Sequence, residues 1–220
     1  MKVVVLTGAG ISQAAGLPTY RGPGGLWNDP AKIALSDASA MRDRRAEACA
    51  MFRQLYDASR GVEPTAAHRA LAAAEARHDS FTLITQNVDG LHQRAGSSSV
   101  CEYHGSLARW RCDRCGLARD GYEELHCGEP MRPCVVLFGE EIPPDAERAA
   151  KIALRDCDLF VAIGTSGTVF PAANFVRSAA YAGARTVLLN LEIDASSREL
   201  YSECHAGPAD ELVPGFFAVT

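Results

Sequence analysis

The sequence predicts an α/β fold: a parallel sheet with helices on both faces and a small inserted module. Three observations predict it. Short, almost continuously apolar runs alternate with segments of helical composition: VVVL at 3–6, FTLIT at 81–85, LFVAI at 159–163 and TVLLNL at 186–191. Strands that are apolar throughout belong to parallel sheets covered on both faces. Glycine-rich or polar turns directly follow these runs, and residues 100–140 change character to cysteines, glycines and few helix formers.

Taken in order, Lys2–Thr7 reads as a buried strand ending at Gly8, and a short helix over 11–15 stops at Gly16. Residues 16–30 hold Gly16, Gly22, Gly24 and Gly25 with Pro18, Pro23 and Pro30, which predicts a mobile surface loop. Alanine-rich helices are expected over 41–60 and 65–78, the second announced by Pro64. The strand at 81–85 leads into QNVDGLHQRAG, a turn and a short helix, before the cysteine-bearing stretch. Beyond it, helices over 145–156, 171–182 and 208–218 flank the last two apolar strands. No internal repeat or low-complexity segment interrupts this order.

Composition narrows the function classes. The chain has 220 residues, 47% hydrophobic, enough for one core domain plus a module. A formal net charge of −5 argues against a nucleic-acid footprint, and the arginines at 42, 44, 45, 109, 111 and 114 read as solvated faces. No apolar stretch reaches the ~18 residues of a membrane span. MKVVVLTG passes straight into a glycine turn, unlike a secretory leader, so a cytoplasmic chain is expected. Eight scattered cysteines with one C-x-x-C point to reduced thiols and metal ligation rather than disulfides.

The strand ends carry the chemistry. Gly8-Ala9-Gly10 follows a strand and opens a helix, a geometry that lets backbone N–H groups approach a pyrophosphate. Gln13 stands where a third glycine of the dinucleotide fingerprint would be. Gly164-Thr165-Ser166-Gly167 ends another strand, and Asn190 and Glu192 a third. Ligands bind outside the carboxyl ends of parallel strands, so the set points to one nucleotide site. Gln86, Asn87 and Asp89 pack amides and a carboxylate at the end of the 81–85 strand, and His104 follows in Tyr103-His104-Gly105-Ser106. An imidazole there suits a general base near neutral pH.

With those residues in hand, the sequence resembles the sirtuins, NAD-dependent protein deacylases, in their bacterial branch. GAGIS (8–12), GLPTYRGPGGLW (16–27), TQNVDGLH (85–92), YHGS (103–106), RPCVVLFGE (132–140), GTSGTVFPAA (164–173) and NLE (190–192) run in the family's order over nearly the whole chain. The resemblance implies a Rossmann-like NAD-binding domain over 1–40, 79–104 and 135–220. It implies a small domain built from a helical segment, 41–78, and a zinc-ribbon-like module, 105–134. By the same resemblance Gly8, Ala9, Gly10, Ala14, Thr19, Tyr20 and Arg21 hold NAD, with Gln86, Asn87 and Asp89 around its ribose and nicotinamide. Gly164, Thr165, Ser166, Asn190 and Glu192 face the adenosine half. His104 and Asn87 are the catalytic pair, His104 as base, while Val135, Phe138, Gly139 and Glu140 border an extended acyl-lysine peptide that adds as a strand. The implied products are free lysine, nicotinamide and O-acyl-ADP-ribose. The implied alternatives are ADP-ribosyl transfer or NAD hydrolysis in the same pocket, or a non-enzymatic NAD-binding module; intact Gln86, Asn87, Asp89 and His104 argue against the last.

The sequence departs from the family in three places. Cys112-x-x-Cys115 is a zinc half-site, and Cys127 matches the last cysteine of the second half, but Glu124 replaces its first. Glu124 or His126 completes the set, or the site is degenerate. On the helix before Glu63-Pro64-Thr65, Phe52 and Leu55 occupy the places where relatives often carry Tyr-x-x-Arg, which predicts acetyl or longer apolar acyl groups over succinyl, with Arg53 close enough to matter. Tyr20 stands where the family usually has Phe.

Overall fold

A computed structural model describes residues 1–22 and 24–218. The strands are β1 (Lys2–Thr7), β2 (Ser80–Thr85), β3 (Val100–Glu102), β4 (Gly105–Arg111), β5 (Ala118–Asp120), β6 (Leu125–His126), β7 (Glu129–Pro130), β8 (Arg132–Val135), β9 (Leu159–Ile163), β10 (Arg185–Asn190) and β11 (Glu203–Ala206). The helices are α1 (Pro30–Leu35), α2 (Ala40–Asp43), α3 (Arg45–Arg60), α4 (Ala66–Glu75), α5 (Leu91–Arg94), α6 (Pro144–Leu154), α7 (Phe175–Tyr181), α8 (Ala195–Leu200) and α9 (Ala209–Ala218).

Six strands form one parallel sheet in the order β3-β2-β1-β9-β10-β11. Numbered along the chain within that sheet, this is 3-2-1-4-5-6, the doubly wound dinucleotide-binding order, whose switch point falls between β1 and β9. Alternate residues feed opposite faces, as the two-residue strand period requires. Val3, Val5, Leu83, Val161 and Ile163 join Leu71 of α4 and Val213 and Phe217 of α9 on one side. Val4, Leu6, Ile84, Phe160 and Ala162 join Leu154 of α6 and Phe175 and Val176 of α7 on the other.

A third core lies apart from the sheet. Met41 of α2, Cys49, Phe52 and Tyr56 of α3, Leu107 and Trp110 of β4 and Met131 and Val135 beside or on β8 form one buried cluster. The antiparallel sheet β5-β4-β8 and the β6–β7 hairpin complete this unit. Three cross-links from α3 reach it: Arg45 Nε to the Pro130 carbonyl at 3.0 Å, Arg45 Nη1 to Asp113 at 3.0 Å, and the Arg53 guanidinium 3.9 Å from the Tyr122 ring. Helix α4 differs from α3 in this respect, because its Ala67, Leu71 and Ala74 pack into the core of the large sheet.

Some elements differ from the sequence reading. The helix expected over 41–60 breaks at Arg44, which leaves the helical region (φ −140°, ψ 36°), and α4 stops at Glu75 rather than 78. The turn after β1 is a 3-10 helix over Ala9–Ala15, and the expected 171–182 helix begins as a 3-10 turn over Ala172–Asn174 before α7. Strands β3 (VCE) and β11 (ECHA) were not legible because both are half-buried sheet edges without a continuous apolar run. The helices α1 and α8 are short, and each is announced by an aspartate N-cap, Asp29 and Asp194, rather than by periodicity. The expected final helix reaches Ala218; residues 219 and 220 lie outside the described residues.

Candidate active site

The two glycine turns meet at the switch point. Gly8 N donates to the Ile163 carbonyl at 3.0 Å and Gly10 N to the Gly164 carbonyl at 2.9 Å. A Cβ on Gly8 would lie 2.8 Å from the Gly164 oxygen, and one on Gly10 2.7 Å from the Gly164 Cα. Gly164 itself sits at φ +58° with Ile11 N only 2.6 Å from where its Cβ would be. What the first glycine turn approaches is therefore the second glycine turn. The interlock holds both loops at the carboxyl ends of β1 and β9, where such sheets bind dinucleotides.

Polar side chains from the neighbouring strand ends tie into this interlock. Gln86 Nε2 donates to Thr165 Oγ1 at 2.9 Å, and Asn190 Nδ2 to the Thr165 carbonyl at 3.3 Å. Asn87, only 5% exposed, donates through Nδ2 to the Gly8 carbonyl and to Ser12 Oγ, both at 3.2 Å. Ser12 Oγ in turn donates to Asp89 Oδ2 at 2.7 Å. The Asn87 Oδ1 is buried with no partner in the chain, an acceptor left available to a ligand. Ser12 was absent from the sequence-based site; its place four residues after Gly8 in GAGIS was the available signal.

Beneath this layer lies a buried histidine pair. Thr7 Oγ1 donates to Thr85 Oγ1 and lies 2.9 Å from His92 Nε2, and the His92 and His68 rings meet at a tilt with their centroids 4.6 Å apart. His68 Nδ1 accepts from Thr65 N at 3.3 Å in the capping box of α4. Burial pushes His68 down to about 4, and burial with the neighbouring His68 holds His92 well below its usual value.

The cleft opens between this floor and α3. Ala9, Ser12, Tyr20, Asn87 and Asp89 line it together with the apolar Leu17, Leu26, Leu55, Val88 and Leu107. A second hollow, sharing Tyr20, Leu26 and Leu55, continues along Trp27, Met51 and Phe52. Tyr20 packs at a tilt against Trp27 (centroids 4.8 Å apart) and Trp27 against Phe138 (4.9 Å), so an aromatic row joins the 16–30 loop to the far wall. Burial, with Asp89 adding, raises the Tyr20 hydroxyl to about 12 and keeps it protonated. Thr19 Oγ1 is committed to the Arg21 carbonyl, and Arg21 lies over Trp27. Ala14, Ser166 and Glu192 are exposed; Ser166 Oγ pairs with Thr168 Oγ1 at 2.8 Å.

His104 stands between β3 and β4. Its Nδ1 lies 3.2 Å from the Gln86 carbonyl, which can only accept, so Nδ1 carries the proton and the neutral ring leaves Nε2 free to take one. Burial holds this imidazole below its ordinary value of 6.5, against the opposing pull of the carbonyl. Gly105, at φ +79°, lets β4 turn under it, since a Cβ there would overlap the Cys134 carbonyl at 2.0 Å.

The far wall runs from Val135 to Glu140. Phe138 pairs through its backbone with Ser36 and Ala38, both at 2.9 Å, and Gly139 turns at φ +84°. The Glu140 carboxylate is fully engaged internally: it accepts from Arg132 Nη1 at 2.7 Å, Arg132 Nη2 at 2.9 Å and Leu137 N at 3.0 Å. Arg132 is nearly inaccessible, with 4% of its side chain exposed, so this is a buried clamp that shapes the wall. In the neighbouring unit Cys112, Cys115 and Cys127 converge, their sulfurs within 4.8 Å of one another, a soft donor set suited to zinc.

Together these features are those of a doubly wound dinucleotide-binding α/β protein with a cysteine cluster able to hold a metal ion in the unit beside the cleft. The Sir2 family model matches residues 8–171. The chain is 41% identical to an NAD-dependent protein deacylase of Pasteurella multocida, over 99% of this chain and 97% of that protein. It is 45% identical to NAD-dependent protein deacylase 2 of Pyrobaculum aerophilum, over 87% and 80%. Among solved structures, a Sir2 homologue mutant in complex with 2'-O-acetyl ADP ribose superposes with a TM-score of 0.91 at 32% identity, covering 99% of this chain and 91% of that one. A Sir2 homolog–NAD complex gives 0.90 at 31%, covering 99% and 88%. The chain belongs to the Sir2 family.

Proposed function

We propose that this protein is an NAD-dependent protein deacylase whose acceptor is an acylated lysine side chain, and that the site residues act as follows. The single observation that carries the reading is the tautomer of His104: a base with its accepting nitrogen free, anchored to the same strand end as Asn87. NAD, when bound, supplies a ribose whose bond to nicotinamide can be broken to leave an electrophilic carbon. The chain fits it: two interlocked glycine turns at the carboxyl ends of β1 and β9, and a buried amide oxygen on Asn87 in want of a partner.

Asn87, held by Gly8 and Ser12, orients the sugar end, and Asp89 keeps Ser12 in place. Gln86, Thr165 and Asn190 brace the nucleoside side. The apolar wall of Leu26, Leu55 and Leu107 excludes water. Holding the acyl oxygen against the sugar converts a bimolecular encounter into a positioned one, worth up to about 7–11 kcal/mol in favourable cases. His104 takes the proton from a sugar hydroxyl. The substrate backbone lies along Val135–Gly139. A solved Sir2 structure carries a deacetylated p53 peptide with 3'-O-acetyl ADP ribose at a TM-score of 0.86 and 28% identity, covering 96% of this chain and 90% of that one, which supports a peptide substrate.

The acyl group enters the hollow lined by Met51, Phe52 and Leu55. Arg53 turns away from it to Asp57 (2.7 Å) and Tyr122, so no guanidinium awaits an acyl carboxylate there; Lys32 at the rim faces Asp29 at 4.0 Å. The half-exposed Lys32 on the lining offers an acyl carboxylate a point charge but no bidentate fork, while the rest of the lining is mainly apolar, so acetyl and longer apolar acyl peptides should react faster than succinyl peptides. Equal rates across an acyl-peptide panel contradict this specificity. Among the described residues no helix is long and apolar enough to cross a membrane. None of the eight cysteines is joined in a disulfide, which suits the reducing cytoplasm proposed as its location.

The deciding experiment measures nicotinamide release with and without acetyl-lysine peptide, for wild type and His104→Ala. Release that requires both peptide and His104 is the expected result. Release independent of peptide indicates hydrolysis or ADP-ribosyl transfer instead.

A further inference from the structure

We propose that the metal in the cysteine-bearing unit is held by Cys112, Cys115, Cys127 and His126, a Cys3His centre in which His126 Nδ1 is the fourth ligand. The first support is distance. His126 Nδ1 lies 3.5 Å from Cys115 Sγ and 3.3 Å from Cys127 Sγ, and all four donor atoms fall within 4.8 Å of one another. Zinc bonds of about 2.3 Å to sulfur and about 2.0–2.1 Å to nitrogen, arranged tetrahedrally, place a nitrogen and a sulfur about 3.6 Å apart. The two observed separations fit the edges of that tetrahedron.

The second support is backbone geometry. His126 and Cys127 are adjacent, and neighbours in extended chain point to opposite faces. Both can address one point only if the chain leaves the extended region between them. Cys127 does so at φ +54°, the single non-glycine residue with positive φ among the described residues. Cys127 and Gly128 are the two-residue loop of the hairpin, which requires positive φ at both, so the turn itself sets this conformation and leaves the Cys127 sulfur 3.3 Å from His126 Nδ1. Gly128 follows at φ +81° and completes the hairpin between β6 and β7.

Glu124, the sequence position of the missing cysteine, is outside the cluster. Four protein donors leave no open position, so the metal is structural rather than catalytic. It clips the turn after β4 to the hairpin that leads into β8, the strand preceding the peptide wall.

The test measures zinc content of purified protein by mass spectrometry and the rate of zinc transfer to a colorimetric chelator. Wild type should hold one zinc per chain. His126→Ala should release it at least about tenfold faster, His126→Cys should restore retention, and Glu124→Gln should match wild type. With cobalt in place of zinc, His126→Cys should change the ligand-field spectrum, because one nitrogen donor becomes sulfur. Zinc-free wild type, unchanged release from His126→Ala, or faster release from Glu124→Gln overturns the assignment. Circular dichroism of each variant separates ligand loss from unfolding.

Discussion

The strand-end cleft and the cysteine-bearing unit solve the same problem, holding a loop in place, by opposite means. In the cleft, side chains are removed: Gly8, Gly10 and Gly164 let two turns lock backbone to backbone at 2.9–3.0 Å. In the unit, side chains are recruited: three thiols and one imidazole converge from a turn and a hairpin whose strands are only two or three residues long. The large sheet can impose order on its loops because long buried strands feed them. The short strands of the unit bury little, so ligation and the clamp from α3 take over.

The largest effect that sharpens this contrast is at the junction of the two regions. His104→Ala should lower the deacylation rate by about 10²–10⁴-fold while NAD binding, measured by calorimetry, stays within a few fold. Loss of NAD binding instead would make His104 a structural part of the cleft. Next is the Arg132–Glu140 clamp on the wall side. Arg132→Met strands a half-buried carboxylate and should cost about 1.5–3 kcal/mol in urea unfolding, largely recovered in the double variant with Glu140→Leu. An unchanged urea midpoint in the single variant would show the pair to be solvated.

The third effect concerns acid. The folded-state value of His68 is depressed to about 4, so the unfolded chain binds the proton first. Stability is therefore fully present above the unfolded value near 6.5 and is lost as pH falls from there towards 4, by up to about 3 kcal/mol from this residue. His92 acts in the same direction. Thermal melts from pH 7 to pH 4 should show this loss, and His68→Gln should flatten the slope. The deacylation rate should likewise rise with pH through an inflection below 6.5, since His104 acts as a neutral base whose proton affinity burial lowers.

The smallest of these tests strikes the interlock itself. Gly10→Ala introduces a Cβ 2.7 Å from the Gly164 Cα, which forces the turns apart. It should cost about 1–3 kcal/mol of stability and raise the KM for NAD while the peptide KM moves little. Equal changes in both constants would mean that the turns do not act as a separate unit from the peptide wall.

Much of the cleft was legible in the residue order. Apolar runs marked four of the six large-sheet strands because a strand buried on both faces must be apolar throughout. The turns beside Gly8 and Gly164 were legible because only glycine tolerates such approach. Strands β3 and β11 were hidden because an edge strand is half-buried and carries a mixed pattern. Ser12 was hidden because its role rests on Asn87 and Asp89, which lie 75 and 77 residues away.

By itself, then, the sequence determined the α/β class, the glycine-rich and polar strand ends and the family, since each follows from local pattern and ordered motifs. Only the tertiary structure decided which glycine turn the first one meets, that Glu140 is spent on Arg132, that Arg53 faces Tyr122 rather than the acyl hollow, and that His126 stands with the three thiols. The reason is physical: composition and periodicity state what each segment can bury, whereas a partner across the fold is chosen by where the packed sheet and helices bring the chain back upon itself.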